Sequence, residues 1–297
     1  MKNAPVRHRT EYALYRSIKG FLRALPHAWA RSFGRGIGLL AWALDGRHRR
    51  VAEGNMALAL PEIGPAERRR LVRRCFQHFG SALCDVISST RFDPVEICRH
   101  FTLEGWHNLE EADRRGRGVF ILSAHVGFWE LVPPVVALYR GPMSIVVRPA
   151  DNPWLDVELR ALRERFGNEV VPKRGAARKM LERLRSGGRV GILIDQRVQP
   201  KEGIEVPFFG HPALTSPVLA RLSLRTGAAV VPVAAYPEPK GRYRLVARPA
   251  ILPPEGATDD EPTVAALTRR YLDIAEDDIR AHPSMWLWMH RRWGNRR

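Results

Sequence analysis

Acidic side chains are scarce in this chain of 297 residues: 31 Asp and Glu stand against 48 Lys and Arg, a formal net charge of +17. A balance this basic asks for an anionic partner, either nucleic acid or an anionic membrane surface. Cysteine is scarcer still. The three residues, Cys75, Cys84 and Cys98, form no C-x-x-C pair, and their odd number argues against a disulfide framework and a zinc site. A reducing cytoplasm is the simplest setting. Long apolar runs are missing as well. The longest early run, residues 36–44, would reach about 14 Å as a helix against roughly 30 Å of hydrocarbon, so no transmembrane helix is expected. The basic first residues are interrupted by Glu11 and lack the apolar core and cleavage site of a signal peptide. There is no G-x-S-x-G elbow, no Walker loop and no H-E-x-x-H. Gly34, Gly36 and Gly38 have the wrong spacing, and no preceding strand, for a dinucleotide site. No cofactor and no metal are expected.

What is present has a clear rhythm. Residues 10–45 read as two helices with apolar faces flanked by Arg and Lys, suited to lying in a membrane interface or to packing on a core. A basic cluster at 47–50 and the stretch NMALALP at 55–61 follow. A long helix is predicted over 65–89. From residue 101 strands and helices alternate. Strands are predicted near 101–103, 119–123, 144–147, 190–194, 229–235 and 243–248. Helices are predicted near 106–113, 128–138, 153–166, 175–186, 216–226 and 262–281. Such alternation predicts an α/β fold: a mixed, largely parallel sheet flanked by helices. The expected division is an N-terminal helical membrane-associating region, 1–60, and an α/β domain, 61–297, with no convincing linker between them.

The chain is organised around residues 118–134, GVFILSAHVGFWELVPP. Val119 to Leu122 has the apolar, β-branched character of a buried strand. His125 then sits where strand gives way to helix, with Glu130 five residues later. On one continuous helix that offset would turn the two side chains about 140° apart. They meet only if His125 lies in the turn and Glu130 in the first helical turn, which Gly127 permits through positive φ. An imidazole oriented by a carboxylate is a candidate base for a substrate hydroxyl. The plain alternative is a loop histidine beside a carboxylate favoured by the helix dipole. Arg148 ends a strand and is expected at the same sheet edge, and Arg163 lies on the next helix; either guanidinium could take an anionic group bidentately, or simply be a surface group. Asp195-Gln196 ends another strand. An acid there could orient a basic residue or a bound sugar hydroxyl, or close a turn salt bridge. Phe208 and Phe209 are suited to lining an acyl groove or to packing in the core.

The segment AHVGFWE resembles the His-x4-Glu motif of bacterial lipid A biosynthesis acyltransferases, close to H-x-G-N-W-E but with Phe128 where Asn is common. Further blocks resemble the same family in order: NMALALP, the Asp195-Gln196 pair followed by VPFFG, VVPV at 230–233, and a tail of the form W-x-W-x-H-x-R-W at 286–293. The resemblance implies a glycerolipid acyltransferase-like fold at the cytoplasmic face of the inner membrane. It implies a fatty acyl thioester on acyl carrier protein as donor and a hydroxyl of a membrane glycolipid, a lipid A precursor, as acceptor. His125 would be the base and Glu130 its orienting partner. Arg148, Arg163, Asp195, Gln196, Phe208 and Phe209 would bind substrate. An anionic membrane surface, and not nucleic acid, would then explain the positive charge. Two alternatives remain open: acylation of a phosphatidylinositol mannoside or lysophospholipid from acyl-CoA, and a non-catalytic basic protein that binds membrane or nucleic acid.

Overall fold

In a computed structural model, residues 5–173 and 175–294 are described. Five helices come first: α1 (Val6–Ala24), α2 (His27–Leu44), α3 (Gly46–Ala59), α4 (Pro65–Ser89) and α5 (Pro94–His100). Strands then alternate with helices: β1 (Phe101–Glu104), α6 (His107–Arg114), β2 (Val119–Ser123), α7 (Val132–Arg140), β3 (Met143–Val147), α8 (Pro153–Arg163), β4 (Glu169–Pro172), α9 (Ala176–Arg185) and β5 (Arg189–Leu193). The chain closes with a hairpin of β6 (Ile204–Phe208) and β7 (His211–Thr215), then α10 (Val218–Thr226), β8 (Ala229–Pro237), β9 (Tyr243–Ala247) and α11 (Glu261–Ala281).

Seven strands form one sheet in the order β1-β9-β8-β2-β5-β3-β4, parallel throughout except where β8 meets β9. This is the mixed, largely parallel architecture the alternation predicts. Central β2 is apolar on both faces because helices cover both. Phe120 and Leu122 join one buried cluster with α9, α10 and α11, while Val119 and Ile121 join the other with α6 and α7.

Five expectations need revision. Residues 46–59 form a helix, capped by the Asp45 side chain on the His48 amide, where the charge cluster obscured the pattern. The Asp93/Glu96 capping box starts the short α5. The segment around VPFFG is a hairpin, and Glu169–Pro172 adds an edge strand too short to stand out. Finally, the helix expected from 128 begins at Val132, after a 3₁₀ turn over Trp129–Leu131. Pro133 and Pro134 suit a helix start, having no N–H to give to a preceding turn.

α2 has two apolar faces of different character. Ala30, Gly34 and Gly38 are buried, and a Cβ on Gly34 or Gly38 would collide with the backbone of α4 at Gly80 or Phe76. Only glycine lets the two helices approach so closely. Gly38→Ala is expected to cost about 1–3 kcal/mol, as overpacking does, read as a lower denaturation midpoint. The large residues point the other way: Trp29, Phe33, Leu40 and Leu44 are exposed, as are Leu14 and Phe21 of α1. Among the described residues no helix is long and apolar enough to cross a membrane.

Candidate active site

β2 and β5 run parallel as neighbours, with Ser123 level with Leu193. Two residues further both chains leave the sheet, so His125 comes level with Asp195. The carboxylate takes the His125 Nδ1 hydrogen at 2.9 Å through Oδ1 and the His125 backbone N–H at 2.9 Å through Oδ2. The Trp286 indole N–H also donates to Oδ2, at 2.8 Å. Asp195 is 1% exposed and His125 19%, so the carboxylate is sealed while the imidazole keeps some exposure. On the other ring nitrogen, Nε2, lies the Gln196 side-chain amide nitrogen at 3.1 Å. The Trp129 ring sits 5.2 Å from the imidazole.

The turn that presents His125 is held from two sides. Gly127 has φ +63°, and a Cβ there would strike the Ala235 carbonyl. Its N–H donates to the Met285 carbonyl, and the Phe128 N–H donates to that of Ala235 at 2.8 Å. The C-terminal tail bridges Val126 through Trp286, and the Leu287 N–H donates to the His125 carbonyl. The tail is thus docked by its aromatics, as its composition suggests. It also supplies a hydrogen bond to the acid of the site, a role that sequence spacing alone does not reveal.

Burial pushes the His125 imidazole down, but the charge and hydrogen bond of Asp195, aided by the charge of Glu130, outweigh it and leave the pKa raised above 6.5. Asp195 behaves reciprocally. Burial opposes its ionised form, yet His125 and the three N–H groups hold its carboxyl low. The raised folded value means the pair stabilises the protein fully below the unfolded histidine pKa. That contribution fades as pH rises through the folded pKa. Activity runs the other way if the neutral ring is the base, increasing as pH rises through a midpoint above 6.5. Asp195→Asn removes the raising charge and keeps the burial, so the midpoint in a pH–rate profile is expected to fall.

The expected His125–Glu130 contact is replaced. Glu130 lies in the 3₁₀ turn, where Arg163 from α8 takes both carboxylate oxygens, Nη2 on Oε1 at 2.5 Å and Nε on Oε2 at 3.0 Å. A planar guanidinium fits a carboxylate better than an imidazole edge does, and the sheet register already delivers Asp195 to Nδ1. Glu130 therefore reaches His125 through its charge, without a hydrogen bond. Arg163, expected at substrate, is engaged by Glu130. Arg148 does follow β3 at the same sheet edge, but it is 81% exposed and pairs with Asp151. Of the roles open to Asp195, contact with a basic residue is the one seen, since its buried oxygens are taken by His125 and Trp286 donors rather than left for substrate. Phe208 and Phe209 are buried rather than lining a groove. Phe208 stacks among Trp286 and Trp293, and the Phe209 N–H donates to Glu276.

An imidazole backed by a buried carboxylate, at the C-terminal edge of the central strand of an open α/β sheet, is an arrangement suited to taking the proton of a hydroxyl. The family model of bacterial lipid A biosynthesis acyltransferases matches residues 2–295, and the chain belongs to that family. It is accordingly an acyltransferase of lipid A biosynthesis. It is 27% identical to the lipid A biosynthesis lauroyltransferase of Escherichia coli K12, over 92% of this chain and 87% of that one. It is 29% identical to the palmitoleoyltransferase of the same organism, over the same shares of each chain. A phosphatidylinositol mannoside acyltransferase of Mycobacterium tuberculosis is 30% identical over 64% of this chain and 58% of its own.

Proposed function

We propose that the protein moves a fatty acyl chain from an acyl carrier protein thioester to the hydroxyl of an acyl chain already present on a glucosamine-based lipid A precursor. The observation that carries this is His125 fixed at Nδ1 by Asp195, with Nε2 left facing the Gln196 side chain rather than a carboxylate. With the Nδ1 hydrogen given to the carboxylate, Nε2 bears the lone pair. It takes the acceptor O–H proton as the oxygen attacks the thioester carbonyl carbon. The carbonyl electron pair moves onto oxygen and returns as the C–S bond breaks. The departing sulfur then receives the proton from the imidazolium, which Asp195 stabilises meanwhile. Arg163 and Glu130 form a second charged pair beside the base, and Arg148 offers a cation at the rim. The net charge of +17 suits both an acidic carrier protein and an anionic membrane.

The reading places the protein at the cytoplasmic face of the inner membrane, with the exposed Trp29, Phe33, Leu40 and Leu44 stripe of α2 lying in the interface. Burying one such side chain stabilises binding by about 1.5–3 kcal/mol. Trp29→Glu with Phe33→Glu is therefore expected to weaken vesicle binding by at least about hundredfold, measured by co-sedimentation with vesicles containing phosphatidylglycerol. The donor and acceptor are tested together. Purified protein is offered a lauroyl chain on acyl carrier protein or on CoA, with a lipid A precursor or a lysophospholipid, and products are weighed by mass spectrometry. Transfer only from CoA, or only to the lysophospholipid, would favour the phospholipid reading instead.

A further inference from the structure

Asp195 fixes the His125 imidazole, since it holds the ring N–H and the backbone N–H of that residue together. The hydrogen bond on the opposite ring nitrogen needs a separate reason. Gln196 is the next residue of the same strand end, half-buried, with its amide nitrogen 3.1 Å from His125 Nε2. Since Nδ1 donates to the carboxylate, Nε2 accepts, and the Gln196 amide points an N–H at the lone pair that the reaction requires. A purely structural side chain placed there would only obstruct the acceptor hydroxyl.

We infer that Gln196 is a catalytic residue whose amide N–H donates to the thioester carbonyl oxygen as that oxygen becomes negative. This rests on the reading of His125 as the base. When the acceptor hydroxyl takes its place at Nε2, the amide is displaced from the lone pair but remains one residue from Asp195, at the end of the same strand. The hydroxyl oxygen then sits about 3 Å from Nε2, and the carbonyl carbon it attacks lies about 3 Å beyond that oxygen. The carbonyl oxygen is bonded to that carbon, and the displaced amide, which began 3.1 Å from Nε2, swings to donate to it. A neutral amide donor is suited to this work. It stabilises developing negative charge without placing a cation beside an imidazole that must itself become positive. In the resting site the same N–H rests on Nε2, so the donor starts beside the reacting centre.

The test uses the full-length protein, an acyl carrier protein thioester and the lipid acceptor. Gln196→Leu removes the donor at similar size; Gln196→Glu keeps the shape and, when ionised, can only accept. Both are expected to lower kcat by about 10²- to 10³-fold, the range for losing one oxyanion donor, with KM changed by less than about threefold. Slow hydrolysis of the thioester without acceptor is expected to fall in parallel, because water attack passes through the same oxyanion. Gln196→Glu should also move the acidic limb of the pH–rate profile upward by setting a second carboxylate on the ring, which Gln196→Leu cannot do. Wild-type or higher kcat in both variants, with unchanged thermal midpoints, would overturn the inference and leave Gln196 a plug on the base. A drop in transfer with hydrolysis untouched would likewise overturn it and assign Gln196 to acceptor binding. His125→Ala in the same assays separates the two readings. If His125→Ala retains activity, the base reading fails; if it loses activity while the Gln196 variants keep it, only the present inference fails.

Discussion

His125→Ala is expected to lower acyl transfer by about 10³-fold, within the range for removing a general base, while leaving the fold and vesicle binding intact. The ring is 19% exposed and its hydrogen-bond partners are the Asp195 and Gln196 side chains, so its removal leaves no apolar cavity of consequence. The backbone N–H of residue 125 continues to satisfy one Asp195 oxygen, and Trp286 still donates to it. What disappears is the lone pair. Transfer is measured as thioester-dependent acylation of the acceptor, and binding by vesicle co-sedimentation. Unchanged transfer would remove the imidazole from the mechanism. Loss of both transfer and vesicle binding would instead signal misfolding. This comparison also tests the rival reading of a non-catalytic basic protein, since such a protein would have no acyl transfer to lose.

Asp85→Ala is expected to have the largest effect on stability. Asp85 is fully buried on α4, with the Arg31 guanidinium on Oδ2 at 2.9–3.1 Å, the Tyr243 hydroxyl on the same oxygen at 2.6 Å, and His27 Nε2 2.8 Å from Oδ1. Arg31 further donates to the Glu238 carbonyl and lies over the rings of Phe128 and Tyr243. One carboxylate thus joins α2, α4 and β9. Burial and the Asp85 charge push the Tyr243 hydroxyl pKa strongly upward, so the phenol stays a donor. Removing the acid strands a buried guanidinium, and breaking a buried pair in this way costs about 3–5 kcal/mol. Asp85→Asn keeps the shape and one acceptor and is expected to cost less. Chemical denaturation of the two variants gives the comparison, and equal stability of Asp85→Ala and wild type would show that Arg31 finds another anion or water.

The fold was legible wherever one rule dominated. Val119 to Leu122 declared a two-sided strand by being wholly apolar, and α4 displayed its helical period over 25 residues. The site was legible in its members more than in its wiring. His125, Asp195 and Gln196 each stand at a strand end beside a recognisable motif. Which carboxylate reaches the imidazole depends on the register of β2 against β5, 70 positions apart in sequence, and no local spacing encodes that. The His-x4-Glu spacing suggested the nearer acid. Arg163 changed the outcome, because a guanidinium from α8 binds Glu130 at two points. Phe208 and Phe209 were ambiguous for the opposite reason. Aromatic residues fill cores and line grooves alike, and the decision was made by Trp286 and Trp293, which only the folded tail brings to them.

His125 and Asp195 each stand two residues beyond the ends of neighbouring strands whose alignment is fixed by the Ser123–Leu193 pairing. Their separation is therefore a property of the sheet's backbone ladder. In mild denaturant, loss of turnover is expected to follow amide hydrogen exchange of β2 and β5, and to be insensitive to fraying at α1. A catalyst built this way stays competent through loosening at its periphery and fails together with its central ladder.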